Sequence, residues 1–283
     1  MKAVVYTAYG PPEVLQLREL SRPEPKPHEI LIKVRATSVT MADFRLRSFT
    51  IPPAAWLPAR LVLGVRKPRK SILGAELAGD VVAVGRAVTK YRPGDQIFAD
   101  TLDKFGAYAQ YCCLPEDHPI ALKPQNLSYE EAAVVPVGAR TALYFLKRVG
   151  LQAGQRILIY GASGSVGTYA VQMARHFGAE VTAVCGAANM EWVRALGAKE
   201  VIDYTAPDFR QQLTSYDVVF EAVDKLSFAI SESVLAPRGT YVNITNPFPA
   251  WPQLRAKLFS QKKIMMAESI VDDLAPMDTL REW

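Results

Sequence analysis

Ile157-Leu-Ile-Tyr-Gly-Ala-Ser-Gly-Ser-Val-Gly-Thr-Tyr-Ala-Val-Gln172 decides the fold. Residues 156–160 are apolar nearly throughout, the pattern of a short parallel strand buried on both faces. A glycine turn follows and opens a helix. Ala162, Gly164 and Gly167 fall at the three small-residue positions of a dinucleotide fingerprint, with alanine in place of the first glycine. Gly164 lets the backbone approach a pyrophosphate, and Gly167 lets the helix lie close on the sheet. The free N–H groups near Ser165 and Val166, helped by the helix dipole, attract the anion. Ser163 and Ser165 add hydroxyl donors. The same pattern also suits a tight strand-to-helix turn that holds no ligand. Gly178-Ala-Glu-Val-Thr-Ala-Val-Cys185 then supplies a second apolar strand and completes a βαβ unit of the right size, which favours the dinucleotide.

The end of that second strand bears on the cofactor. NAD sites usually place an acidic residue there, about 20 residues after the glycines, to hold the ribose hydroxyls. This strand instead ends Val184-Cys-Gly-Ala-Ala-Asn189, and the first acid is Glu191, inside the next helix. Room is left for a 2′-phosphate, so NADPH is expected. The usual basic partner is missing too, and NADH stays open as a second cofactor.

A chain of 283 residues, 49 % of them apolar, is enough for two packed domains. No apolar run approaches the roughly 18 residues a membrane span needs, and the opening Met-Lys-Ala-Val-Val-Tyr reads as a strand rather than a targeting segment. Cys112, Cys113 and Cys185 match neither a disulfide framework nor a zinc spacing, so a reducing, cytoplasmic setting is expected. The net charge is +5, and the densest basic run is Arg66-Lys-Pro-Arg-Lys70. It is either an anion-attracting patch or a solvated loop. Without interleaved aromatics it does not point to nucleic acid.

The first 125 residues are β-rich, with strands expected over 2–7, 29–36, 79–85, 96–99 and 107–114. Pro23, Pro25 and Pro27 mark a linker between the first two. Residues 45–70 show no clear period and read as a loop or irregular helix. From 126 the pattern changes. Ser128-Tyr-Glu-Glu131 is a capping box opening a helix over 130–135 that should stop near Pro136, and a second helix covers 140–149. Strands at 157–160, 181–184, 201–202, 218–222, 240–244 and 263–269 alternate with helices at 165–177, 189–196, 226–235 and 251–260. Six strands with crossover helices make a doubly wound parallel sheet. The expected fold is α/β: a β-rich domain over 1–125 and a Rossmann dinucleotide-binding domain over 126–283.

These segments, taken in order, resemble the zinc-independent quinone oxidoreductase branch of the medium-chain dehydrogenase/reductase superfamily, and within it the reticulon-interacting-protein-like reductases. The resemblance rests on Gly74-Ala-Glu-Leu-Ala-Gly-Asp-Val-Val-Ala-Val-Gly85, Tyr91-Arg-Pro-Gly-Asp95, Phe105-Gly-Ala-Tyr-Ala-Gln-Tyr111, Leu127-Ser-Tyr-Glu-Glu-Ala-Ala-Val-Val-Pro136, the glycine turn, and Leu196-Gly-Ala-Lys-Glu-Val-Ile-Asp-Tyr204. It implies a GroES-like catalytic domain over 1–125. It also implies hydride transfer from NADPH to a small-molecule quinone or α,β-unsaturated carbonyl. Zinc-dependent relatives place Cys, His and Cys where this chain has Thr40, Ala75 and Val137. Ala and Val cannot ligate and a lone Thr hydroxyl is no zinc site, so no metal is expected.

The resemblance also assigns residues. Thr40 would hydrogen-bond substrate or nicotinamide, the alternative being a strand-end threonine that satisfies local backbone. Asp43 is expected to hold a turn, and Phe49 and Trp56 either wall the substrate site or simply pack. Ser163, Gly164, Ser165 and Val166 map onto the pyrophosphate, Gly186 and Tyr204 onto the adenosine 2′-phosphate end, and Thr141 onto the nicotinamide side. Asn243 lies at the end of the fifth strand, where the cofactor passes. Gly186 stands where relatives often have Ser, and Ala188 or Asn189 where they have a basic residue.

Relatives continue past the sixth strand and return to the catalytic domain. Here residues 273–283 read as the start of a helix with Leu274, Met277 and Leu280 on one face. A missing return segment and an exposed apolar face suggest a fragment or a homodimer. They also leave a second reading open: a C-terminally truncated, non-catalytic NADPH-binding or interaction protein.

Overall fold

The computed structural model describes residues 1–51, 53–246, 251–259, 261–267 and 277–281, without the side chains at 53–55, 252, 255, 257 and 259. Two units divide the chain: Met1–Val137 with Pro276–Trp283, and Gly138–Ala275.

In the first unit β1 (Lys2–Tyr6) pairs antiparallel with β2 (Leu15–Glu19). The strands β3 (Glu29–Thr37), β4 (Glu76–Val84), β5 (Gln96–Asp100), β6 (Tyr111–Pro115) and β7 (Ile120–Leu122) form an antiparallel sheet in the order β6-β3-β4-β5-β7. Alternate residues point to one face, so Ile30, Ile32, Leu77, Val81, Ile97 and Leu114 meet in one core. The strands β2 and β7 were not expected, and 107–110 precede β6 rather than belong to it. The largest difference lies over 45–70, which holds two helices, α1 (Met41–Ser48) and α2 (Pro53–Leu63). Pro58 lies inside α2 and disguises it, because proline is read as a breaker.

Ser128 Oγ accepts from Glu131 N at 3.1 Å and Glu131 Oε2 accepts from Ser128 N at 2.8 Å, the expected capping box of α3 (Tyr129–Ala133). α3 stops short of Pro136, as expected, and the second helix starts earlier than expected: Pro136 is the first residue of α4 (Pro136–Val149), a position where proline's missing N–H costs nothing. The first unit runs to Val137, beyond the expected limit at 125, because α3 packs on β3, β4 and β5.

In the second unit β8 (Arg156–Tyr160), α5 (Ser165–His176), β9 (Glu180–Cys185), α6 (Met190–Ala195), β10 (Glu200–Asp203), β11 (Tyr216–Glu221), α7 (Phe228–Val234), β12 (Leu235–Asn243), α8 (Trp251–Phe259) and β13 (Lys263–Met266) alternate. The six strands are parallel in the order β10-β9-β8-β11-β12-β13. That is the doubly wound order of a Rossmann sheet, reversing direction between β8 and β11. Leu158, Val184, Tyr216, Val219 and Tyr241 fill its core. Residues 268–269 of the expected last strand lie outside the described residues.

The helix expected near the end is α9 (Met277–Arg281), and it packs on β7 of the first unit. Met277 and Leu280 are buried there. The apolar face that motivated a homodimer is covered within the chain, and Leu274 lies outside the described residues.

Candidate active site

The turn after β8 is built by its glycines. Gly161 adopts φ +82°, which favours glycine, and its N–H and that of Ala162 both donate to Val184 O at 3.0 Å. A Cβ on Gly167 would lie 2.2 Å from Gly161 O, so only glycine lets α5 close on the turn. Gly164 differs. It caps α5 at φ −81° and ψ 169°, a Cβ there would meet only Gly161 O at 3.4 Å, and it is exposed. Its openness is not something the packing of the turn requires. The first N–H groups of α5, at Ser165, Val166 and Gly167, have no acceptor within the helix. Ser163, Gly164, Ser165 and Val166 therefore lie together on an open turn at the positive end of the helix dipole.

The adenosine-end pair also meets. A Cβ on Gly186 would lie 3.6 Å from the Tyr204 ring, and Tyr204 N donates to Cys185 O at 3.1 Å. A residue that sequence reading passed over stands beside them. Asp203 ends β10, accepts from Thr205 N at 2.9 Å and Thr205 Oγ1 at 2.7 Å, and also takes the backbone N–H of Ala187. These hydrogen bonds hold its carboxyl below the usual range. It is far in sequence from β9 but next to its end, because Asp203 pairs with Cys185. The acid-free strand end thus has a carboxylate supplied by its neighbour. Positive charge is near as well: Arg194 and Arg210 lie close enough to Cys185 and Tyr160 to act on their titration.

Asn243 is buried at the end of β12 and its side chain is fully committed. Nδ2 donates to Asp224 Oδ1 at 2.8 Å and to Tyr241 Oη at 3.2 Å, while Oδ1 accepts from Thr245 N, Thr245 Oγ1 and Asn246 N. It shapes the turn over which a cofactor would pass. Glu221, its partner across the β11–β12 ladder, was not anticipated. It is buried and accepts from Val223 N at 2.8 Å and Leu226 N at 2.9 Å. Burial pushes its carboxyl up to about 7 against these hydrogen bonds. Thr141 lies half-buried in α4.

In the first unit Thr40 is the N-cap of α1. Its Oγ1 donates to Asp43 Oδ2 at 2.7 Å and accepts from Asp43 N at 3.3 Å. The hydroxyl thus serves the cap. Asp43 is buried, and Oδ1 also accepts from Gly74 N at 2.8 Å. The turn-holding role expected of Asp43 is what this geometry performs. Beside Ala75, Glu76 forms a polar centre. Glu76 is buried; Ser38 Oγ donates to its Oε1, Val137 N donates to Oε2 at 2.9 Å, and Thr37 Oγ1 donates to its carbonyl at 2.6 Å. Burial lifts the Glu76 carboxyl to about 7, with the charges of Asp100 and Asp43 adding to the rise. Among the described residues no three His, Cys, Asp or Glu side chains gather as a metal-holding group. Phe49 and Trp56 pack edge-to-face at 5.8 Å, with the Arg60 guanidinium 3.9 Å from the Phe49 ring.

A doubly wound sheet and a GroES-like antiparallel unit in one chain define a dehydrogenase-type protein. Residues 26–125 match the alcohol dehydrogenase GroES-like domain and residues 165–278 the zinc-binding dehydrogenase family. The chain is 34 % identical over 259 residues to a 2-methylene-furan-3-one reductase of Solanum lycopersicum, matching 87 % of this chain and 62 % of that protein. It is 34 % identical to a chloroplastic quinone-oxidoreductase homolog of Spinacia oleracea, with 94 % and 82 % of the two chains covered. The solved quinone oxidoreductase of Coxiella burnetii superposes with a TM-score of 0.83 at 28 % identity, over 100 % of this chain and 86 % of that one. The chain belongs to the quinone oxidoreductase branch of the medium-chain dehydrogenase/reductase superfamily.

Proposed function

We propose that the protein is a zinc-independent reductase that uses NADPH to reduce a quinone or an α,β-unsaturated carbonyl. The carrying observation is the open turn at Gly164, whose openness the packing does not require. Bound there, the nicotinamide cofactor supplies a hydride. The chain's residues do the rest. Ser163, Gly164, Ser165 and Val166 hold the pyrophosphate, Gly186 and Tyr204 receive the adenosine end, and Asn243 and Thr141 border the path to the nicotinamide. Thr40 Oγ1, its proton given to Asp43, keeps one lone pair that would accept from the nicotinamide amide or a substrate hydroxyl. The unit 138–275 is the cofactor-binding one and the unit 1–137 the substrate one.

The substrate class is supported by the relatives: one acts on a 2-methylene-furan-3-one, an enone, and another is a quinone-oxidoreductase homolog. Both acceptors are electrophilic without a Lewis acid. Residue types support zinc independence, since Thr40, Ala75 and Val137 stand at the relatives' ligand positions and Val137 N–H is given to Glu76. Three free cysteines support a reducing compartment such as the cytoplasm.

The test is a steady-state assay of NADPH oxidation against a panel of ortho-quinones and enones, paired with quenching of intrinsic fluorescence by NADPH. Binding with turnover is expected. Binding without turnover on any acceptor would leave the non-catalytic reading in its place.

A further inference from the structure

Helix α2 turns an apolar face outward. Leu57, Leu61 and Val62 are 63 %, 58 % and 67 % exposed, and Val65, just past its end, is 60 % exposed. Leu57 and Leu61 stand four apart on one stripe with Val62 beside it. The other side of the helix is fixed by Arg60, whose guanidinium lies 4.6 Å from the Tyr9 ring and 3.9 Å from the Phe49 ring, and whose Nη1 donates to Val65 O at 3.1 Å. The exposed stripe is therefore presented by an anchored helix.

The loop after the helix is basic, and the backbone puts it beside the stripe. Gly64 ends α2 at φ +124°, where a Cβ would meet Lys67 O at 2.0 Å. Arg69 N donates back to Leu63 O at 2.9 Å. The loop 65–70 thus folds over the negative end of the helix dipole, a favourable place for cations. Arg66, Lys67 and Arg69 are exposed there, and among the described residues no ion pair takes them. A cavity of about 660 Å³ opens against this loop, lined by Arg66, Lys67, Arg69, Tyr6, Thr7 and Ser71.

We propose that α2 and the loop 65–70 form a docking face for an anionic lipid bilayer, the helix lying in the interface and the cavity receiving a phospholipid head group. A surface helix that exposes an apolar stripe beside a basic loop binds such surfaces by burying the stripe and pairing the loop cations with lipid phosphate and carboxylate. The charge pattern selects this occupant. Nucleic acid offers no apolar phase for Leu57, Leu61 and Val62. A second copy in a two-fold dimer would bring an identical set of cations against these. No helix among the described residues is long and apolar enough to cross a membrane, so the contact is interfacial. The inference is independent of the reductase reading.

The test is flotation of the full chain with vesicles of phosphatidylcholine alone or phosphatidylcholine with phosphatidylserine. Co-flotation with the anionic vesicles, abolished by high salt, is expected. Leu57→Ser with Leu61→Ser should lower it by at least about tenfold. Arg66→Gln, Lys67→Gln and Arg69→Gln together should lower it on the order of 100-fold, about fivefold per cation. Both variants are on the surface, and unchanged circular dichroism and thermal midpoint confirm that they fold. Failure to float with anionic vesicles would overturn the proposal. So would equal flotation of wild type and variants, or sedimentation showing that the same substitutions dissociate a dimer.

Discussion

The backbone N–H of Val137 donates to Glu76 Oε2 across 2.9 Å, joining two positions adjacent to or at those where zinc-dependent relatives bind metal. Ser38 Oγ donates to the other oxygen of the same carboxylate, so Glu76 links three segments of the unit. Glu76→Ala removes the acceptor of a half-buried hydroxyl and a half-buried N–H and should cost about 1–3 kcal/mol in urea unfolding. Glu76→Gln keeps an acceptor of the same shape and should cost less than half of that. Equal losses would show that the hydrogen bonds to Glu76 matter little.

Stability should fall as pH rises. Glu76 and Glu221 both titrate at about 7 when folded, well above an unfolded glutamate. Between the two values the folded chain holds protons that the unfolded chain has released. Their stabilisation is complete below the unfolded value and is lost as pH climbs through about 7, at about 1.4 kcal/mol per pH unit for each group. His118 opposes this in part: burial lowers its pKa, so its contribution grows as pH rises toward the unfolded value. Urea midpoints at roughly pH 5.5 and 8 should differ in wild type and differ less in Glu221→Gln. A midpoint that rises with pH would contradict the assignment.

Asn243→Ala should destabilise by about 2–3 kcal/mol, because Thr245 and Asn246 lose their acceptor and Asp224 its donor. The same variant should weaken NADPH binding, since the turn at 244–246 loses its brace. Thermal melts and fluorescence titration read the two effects separately.

Thr40→Ala removes an N-cap and should cost about 1 kcal/mol. If the hydroxyl also meets the reacting group, kcat should fall more than tenfold at saturating substrate, and Thr40→Ser should restore both stability and kcat. A change in stability alone would confine Thr40 to the cap.

Buried parallel strands made the second unit legible. Residues 157–160 form an unbroken apolar run and 181–185 one interrupted only by Thr182, and the glycines between them mark a tight strand-to-helix turn. The first unit was harder to read. The strand β2 is short and largely exposed, with Leu17 turned to solvent, while α2 hides behind Pro58 and an outward apolar face. Pro136 reads as a stop for α3 and is also the start of α4. At the site, contiguous residues were visible and assembled ones were not. Asp203 reaches the end of β9 only through strand pairing, and Glu76 and Glu221 are buried glutamates at strand ends whose partners are backbone N–H groups and, for Glu76, the Ser38 hydroxyl. A lone glutamate in a strand pattern was the available signal for both.

The open turn can be separated from the fold. Gly164→Ala adds a Cβ that meets only Gly161 O at 3.4 Å, at backbone angles any residue adopts, so stability should change by less than about 0.5 kcal/mol. NADPH affinity should fall on the order of 100-fold, because the pyrophosphate loses its approach to the backbone. Gly167→Ala, by contrast, should destabilise, its Cβ lying 2.2 Å from Gly161 O.

The most direct measurement of the central claim follows the hydride. NADPH carrying deuterium at nicotinamide C4, on one face or the other, is incubated with the protein and an enone, and the product is analysed by mass spectrometry. The account predicts one deuterium on the carbon β to the carbonyl, from one face of the nicotinamide only. Product without deuterium from either labelled form, or no product from any enone or quinone despite NADPH binding, would contradict it.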